Sequence, residues 1–341
     1  MRSWTQVREW DPGAVAAVVL IVFFSVAYLA LGWFNLRNFN TGVDLAGYTQ
    51  TLYNLSHGRL PFNPFKGFVM WGDHAHFIVA LLAPIFRVWP DPRLLVAAQA
   101  LAVTTAGWPL YRVAQRIAGN RFFAVAILYA YLAFIGLQYA LDFDFHPSVL
   151  TGAALVWMFY GLTYQKPRIY WVAFTLGLMT REDAAPIFFM VGVYLLFRRR
   201  WLTGGLTMAL SAAYFLLVAY FIMPLWSPDG AALLYLDGDE KDLWSLVRGF
   251  FFYPDAILQN MVDTEQKVQT ILILFSSFAL LPLLSPATYL MAAPIFYSRF
   301  NSSQDYRWLI TNHSNANILP ILALGAILAA GHARWLLRRW A

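Results

Sequence analysis

Apolar runs recur along the whole chain, separated by short polar or charged turns. A ~30 Å hydrocarbon core takes roughly 20 residues of helix. Lipid offers backbone N–H and C=O groups no partners, so spanning runs must be helices. The pattern predicts ten spans, at 13–34, 94–115, 122–141, 147–164, 169–180, 184–197, 201–223, 268–284, 286–297 and 316–333. The two-residue alternation of a membrane β-barrel is absent. The stretch 76–89 is apolar too, but it is short and bracketed by Pro84, Pro90 and Pro92, so it predicts a juxtamembrane helix. Leu45 to Leu55 has the character of an amphipathic surface helix. The first run is longer than a signal-peptide core and no small-residue cleavage site closes it, which predicts an uncleaved helix.

Charge orients this ladder. With the N-terminus inside, the inner connections carry Arg2 and Arg8, then Arg112, Arg116 and Arg121, then Lys166 and Arg168. They continue with Arg198 to Arg200 and end with Arg334, Arg338 and Arg339; only the 284–286 turn lacks a basic pair. This is the excess of Lys and Arg expected of cytoplasmic loops, and it breaks down if 76–89 is made a span. Of 18 carboxylates only Glu9 and Asp11 fall inside, and 18 less 2 leaves 16 outside. The expectation is an all-α polytopic protein of the plasma membrane, one domain over 1–341, with both termini cytoplasmic and about ten transmembrane helices. Juxtamembrane helices lie in a long first outer loop, 35–93. Composition agrees, since 12% of residues are charged and 60% apolar, against about 25% charged in a soluble domain. The net charge of +6 follows from topology and does not suggest nucleic acid. There is no cysteine, which excludes disulfides, thiol nucleophiles and thiolate metal sites.

Chemistry is expected on the outer face, in the long loops. Asp44 is either a base or the N-cap of the 45–55 helix, and the two roles are compatible. Asp73, His74 and His76 could bind a metal or a phosphate, but two His two residues apart share no helix face, so the backbone there would have to be extended. The alternative is an interfacial turn with one His capping the 76–89 helix. In Asp142-Phe143-Asp144-Phe145-His146, an extended backbone would put Asp142, Asp144 and His146 on one side, to hold a substrate hydroxyl or a divalent cation. The alternative is a polar loop with its Phe rings in the interface. Arg181, Glu182 and Asp183 form either a local ion pair at a helix turn or a phosphate grip through the forked guanidinium. Arg299, Arg307 and His313 could meet a phosphate or diphosphate, or lie in a solvated loop. The run Asp237 to Asp242 begins like a calcium loop but has Lys241 fifth and Asp242 sixth, where a calcium loop needs an acid and a glycine, so it predicts solvated surface. No phosphate-binding glycine loop, Gly-x-Ser-x-Gly elbow or His-Glu-x-x-His is present.

The order of several short motifs resembles a known pattern. They are Val43-Asp44-Leu45-Ala46-Gly47-Tyr48-Thr49-Gln50, His74 with Leu81-Leu82-Ala83-Pro84, Leu94-Leu95 with Gln99, Pro109-Leu110-Tyr111, Asp144-Phe145-His146 and Arg181-Glu182-Asp183. Together they resemble the GT-C superfamily of membrane glycosyltransferases. More closely, they resemble an uncharacterised family of predicted bacterial and archaeal membrane proteins, grouped with that superfamily as a domain of unknown function. The likeness covers roughly 13–225, leaving an outer loop at 226–267 and C-terminal helices over 268–341. Asp44 stands alone until Asp73 where the superfamily often pairs acids, Arg181 stands where a Lys is expected, and, since some relatives carry a large soluble C-terminal domain, the expectation here is an acceptor-binding module missing or supplied by a partner.

The resemblance implies an inverting enzyme using a polyprenyl-phosphate-linked sugar that enters from the bilayer. Asp44 would be the general base on the acceptor hydroxyl. Arg181, Arg299, Arg307 or a His would take the developing phosphate charge. Asp144 and His146 would position the acceptor or base, and Asp73, His74, His76, Glu182 and His313 would complete the substrate site. A divalent cation is left open. Competing readings are a lipid or solute transporter, which would place polar groups on broken helices near the midplane, and a non-catalytic protein that binds a lipid-linked sugar.

Overall fold

A computed structural model of the chain describes residues 11–227, 252–302 and 304–340. Arg2, Arg8, Glu9 and the Asp237–Asp242 run lie outside the described residues. Among the described residues the secondary structure is helical, apart from one two-stranded hairpin.

Helix α1, Pro12–Arg37, starts where the Asp11 carboxylate accepts from the Gly13 N–H at 3.2 Å, with Pro12 at its first position. After it come α2, Val43–Ser56, and the hairpin of β1, Phe62–Asn63, and β2, Phe68–Val69. The expected 76–89 segment is a 3₁₀ turn, Phe77–Leu82, running into α3, Ala83–Val88. Next are α4, Arg93–Thr105, and α5, Gly107–Ala118. They form one expected span bent at Ala106, because the Pro109 ring cannot sit against the carbonyl four residues earlier in a continuous helix. Helices α6, Arg121–Leu132, and α7, Ile135–Asp142, likewise divide one span. Helices α8, Val149–Thr163, α9, Pro167–Leu178, α10, Ala184–Phe197, and α11, Trp201–Leu217, run back and forth between the two ends of the bundle. Beyond α11 a π turn, Val218–Ile222, and a 3₁₀ turn, Met223–Leu225, carry the chain to Trp226. The last described helices are α12, Pro254–Asn260, α13, Glu265–Ser276, α14, Pro286–Phe300, and α15, Asn315–Trp340.

Five of these stretches are long and apolar enough to cross a membrane: Pro12–Arg37, Arg93–Ala118, Arg121–Asp142, Trp201–Leu225 and Asn315–Arg339. The other expected spans are shorter. Helices α9 and α13 have 12 residues each, about 18 Å at 1.5 Å per residue. The expected spans 268–284 and 286–297 form a hairpin, α13 and α14, whose turn packs Pro282 and Thr288 against Gly325 of α15. Gly325 lies ten residues into α15, so the hairpin turns back roughly 15 Å below that helix's start. A Cβ at Gly325 would stand 2.0 Å from Thr288 Oγ1, so this depth depends on glycine.

One core joins α1, α4 to α10 and α13 to α15. A smaller one, under the first long loop, packs Leu45, Tyr48 and Leu52 of α2 against Val79, Phe86, Leu95 and Phe145. The basic clusters Arg112, Arg116, Arg121, Arg168, Arg198 to Arg200 and Arg334 sit at one end of the bundle, where α5, α10 and α15 finish and α6, α9 and α11 begin. The α1–α2, α7–α8, α9–α10 and α14–α15 connections meet at the other end.

Candidate functional site

At that second end, helix α2, the loop that follows it and the α7–α8, α9–α10 and α14–α15 connections enclose a cavity of about 290 Å³. Asp44, Asp73, His74, His76, His146, Arg181, Arg299, Arg307 and His313 all line it. Asp144 and Glu182 do not, and each instead holds a wall in place.

Asp144 supplies the cap of α2. Its Oδ1 accepts from the Gly42 N–H at 2.9 Å and its Oδ2 from the Leu45 N–H at 3.1 Å. Helix N-termini leave such donors unpaired, and a carboxylate satisfies them well. The N-cap residue is Gly42 rather than Asp44, which is the second residue of the helix and makes no cap bond. Gly42 gives Asp144 room, since a Cβ there would stand 2.9 Å from its Oδ2. The expected common side for Asp142, Asp144 and His146 is not formed. Asp142 Oδ1 takes the Asn35 amide at 2.9 Å, Asp144 caps α2, and only His146 reaches the cavity. Phe145 is buried beside Tyr48 and pins this segment to the small core, while Phe143 is exposed.

With the cap supplied from outside, Asp44 is available to the cavity. Its Oδ2 lies 3.3 Å from His146 Nε2, and its side chain is 44% exposed. The other ring nitrogen, Nδ1, is 3.1 Å from the Asp144 carbonyl oxygen. Both ring nitrogens therefore face oxygen atoms, one of the Asp44 carboxylate and one of the Asp144 carbonyl. The hydrogen bond from His146 holds the Asp44 carboxyl below the usual carboxylate range; burial opposes this, and the charges of His146 and Lys66 add to it. The His146 backbone N–H donates to Gln99 Oε1 at 2.7 Å, which fixes the start of this turn. The ring of His313 stacks on that of His146 at 3.8 Å and 13°. Burial, with the His146 charge beside it, pushes His313 well below its ordinary value, which favours a neutral ring in that stack.

The second wall is the loop 70–76. His74 Nδ1 and Glu182 Oε1 are 2.7 Å apart, and Glu182 Oε2 accepts from the Ala75 N–H at 3.0 Å. Glu182 thus clamps the loop to the α9–α10 turn. Burial alone would push its carboxyl up, but the charge and hydrogen bond of His74, with Arg181 next to it, hold it well below the usual range. His76 occupies the cap position of the 3₁₀ turn without a side-chain cap bond; its Nδ1 is 2.9 Å from the Tyr48 hydroxyl instead. Burial pushes His76 well down and Tyr48 well up, so both are neutral near pH 7. The two His side chains go to different partners. Among the described residues no group of three or more His, Asp or Glu could hold a metal ion. Gly72 allows the loop to meet the end of the α11 extension, since a Cβ there would lie 2.5 Å from the Trp226 carbonyl.

The third wall is cationic. Arg181 Nε contacts Glu182 Oε1 at 3.4 Å and Asp183 Oδ2 at 3.3 Å, the expected local pairing, while the residue also lines the cavity. Arg299 is 3% exposed and is no part of a solvated loop. Its Nε donates to the Arg307 carbonyl at 2.8 Å and its Nη2 to Asn315 Oδ1 at 3.0 Å, so it holds the α14–α15 connection against the cavity. Three side chains missing from the expected set also matter. Lys66, at the hairpin turn, pairs with Asp73, and only the turn composition Asn63-Pro64-Phe65-Lys66-Gly67 hinted at a hairpin. Asp183 lines the cavity beside the Arg181 and Glu182 of its motif, where it was read only as an ion-pair partner, and Asn317 lines it with no motif to mark it.

No curated protein and no solved structure matches the chain. One family model, described as "Predicted membrane protein (DUF2079)", matches residues 35–341 and takes in every residue of the cavity. The chain is an integral membrane protein and belongs to that family.

Proposed function

We propose that the chain is a glycosyltransferase of GT-C type, which moves a sugar from a polyprenyl-phosphate donor to a hydroxyl acceptor. The observation that carries this reading is Asp44: an ionised carboxylate, bonded to His146, in one cavity with Arg181, Arg299 and Arg307. In this reading the acceptor oxygen attacks the anomeric carbon and its proton passes to Asp44, while the bond from that carbon to the phosphate oxygen breaks. The electron pair leaves with the phosphate, and the arginine wall stabilises that charge as it develops. His146 orients Asp44 for the proton transfer. The basic clusters at the opposite end support an outer-face cavity with both termini cytoplasmic, in the plasma membrane. The chain path supports crossings by α1, α4–α5, α6–α7, α8, α9, α10, α11 and α15, with α13 and α14 dipping in from the cavity side.

Sealed proteoliposomes holding the full chain, labelled polyprenyl-phosphate sugar and a cell-envelope extract as acceptor test the reading. It expects protein-dependent release of polyprenyl phosphate and label on the acceptor. Movement of intact labelled lipid across the bilayer without release would favour transport and overturn it.

A further inference from the structure

Three buried polar atoms on residues lining the cavity have no hydrogen-bond partner: Asp183 Oδ1, Arg299 Nη1 and Asn317 Oδ1. They come from three elements, the cap position of α10, the last turn of α14 and the first turn of α15. Helix α14 packs between the other two. Arg299 and Asn317 are 3% and 5% exposed; the Asp183 side chain is 47% exposed, and only its Oδ1 is shielded. The rest of the Arg299 guanidinium is committed, with Nε on the Arg307 carbonyl and Nη2 on Asn315, which fixes Nη1 in place. Asp183 is half committed, its Oδ2 facing Arg181 Nε at 3.3 Å.

A buried polar atom without a partner is costly, and native structures keep few of them. Three at one cavity, one donor and two acceptors, specify the complement of a ligand. A phosphate alone supplies acceptors and leaves Asp183 and Asn317 unanswered. An ammonium supplies donors and repels Arg299. A polyhydroxylated ring next to a phosphate supplies both.

We infer that this end of the cavity is a sugar subsite, in which ring hydroxyls donate to Asp183 Oδ1 and Asn317 Oδ1 while a sugar or phosphate oxygen accepts from Arg299 Nη1. The inference rests on the donor reading above and adds to it: the donor is held by its sugar as well as by its phosphate, and these two acceptors select the hydroxyl pattern. A site built to bond a hydroxyl rejects an analogue that lacks it, because the site's own polar groups are then left unpaired.

The test uses the full chain in lipid nanodiscs and measures binding of bare polyprenyl phosphate and of polyprenyl phosphate carrying mannose, glucose or arabinose. At least one glycosylated lipid binds the native chain about tenfold tighter than the bare lipid. Asn317→Leu removes that preference and leaves the affinity for bare lipid unchanged; Asp183→Ala removes it without weakening the binding of bare lipid, because Arg181 loses a carboxylate partner; Asn317→Asp, which keeps an acceptor, retains it. Without ligand, Asn317→Leu unfolds at the same temperature as the native chain or higher, because an unpaired buried acceptor is gone; a purely structural Asn317 would give a lower one. If Asn317→Leu does not fold, Asp183→Ala decides. Equal weakening of both lipids, or a preference that survives both variants, overturns the subsite. A native chain that binds bare and glycosylated lipids equally also overturns it and leaves the donor reading standing. A native chain that binds neither overturns the donor reading itself.

Discussion

His146 Nε2 stands 3.3 Å from Asp44 Oδ2, joining the turn before α8 to the first turn of α2. The contact sets a pH dependence. The carboxyl of Asp44 is held below its ordinary value first by the His146 hydrogen bond, so this carboxylate stays ionised to lower pH than an unpaired one. Transfer should therefore persist into mildly acidic pH and fail only as Asp44 is protonated. His146→Leu removes the largest lowering cause, and the acid limb should move to higher pH. A pH–rate profile of the two proteins checks this; an unmoved limb would show that His146 does not govern Asp44.

Asp144 should matter for folding rather than for chemistry. Asp144→Ala strips two backbone donors at the start of α2 of their acceptor, at a cost of about 2 kcal/mol. Thermal unfolding in nanodiscs should fall by several degrees, and the first long loop should be cleaved faster in limited proteolysis. Gly42→Ala should act in the same direction, because its Cβ would press on the same carboxylate.

Glu182 ties stability to pH. Its folded-state value is depressed, so the stability it lends is fully present above the unfolded value near 4.3 and is lost as pH falls through the folded value. Glu182→Gln should flatten the decline of unfolding temperature in that acid window. It should also destabilise at neutral pH by roughly 3–5 kcal/mol, as expected for breaking a buried pair. Unfolding temperatures from pH 7 down to 3 for both proteins measure the two effects.

Most of the helices, and the separation of the basic clusters from the candidate residues at opposite ends of the bundle, were legible in the sequence because hydropathy and loop charge are local signals. The 184–197 run is α10 to the residue, and the expected site residues, Asp144 and Glu182 excepted, converge on one cavity. What was illegible depends on distant partners. Nothing near Asp144 says that it caps a helix begun at Gly42, and Asp44 looked like the better cap by position alone. The bend between α6 and α7 has no proline; the Leu132 and Ala133 carbonyls there are taken by the Tyr28 hydroxyl and the Gln138 amide. The shallow turn of the α13–α14 hairpin rests on the fit of Thr288 against Gly325, which no run of apolar residues encodes.

Arg299 links fold and chemistry. Arg299→Lys keeps the charge but cannot reproduce a fork that reaches the Arg307 carbonyl and Asn315 together. The substitution should lower stability by about 1–3 kcal/mol. Affinity for bare polyprenyl phosphate should fall as well, while Asp44→Asn leaves that affinity unchanged. Parallel binding and unfolding measurements separate the two residues.

The most direct measurement is release of polyprenyl phosphate from labelled donor by the native chain and by Asp44→Asn, each reconstituted at matched unfolding temperature. A general base contributes roughly 10²–10⁴-fold to rate, so the variant should lose release by that factor while still binding donor. Full release by Asp44→Asn would contradict the account.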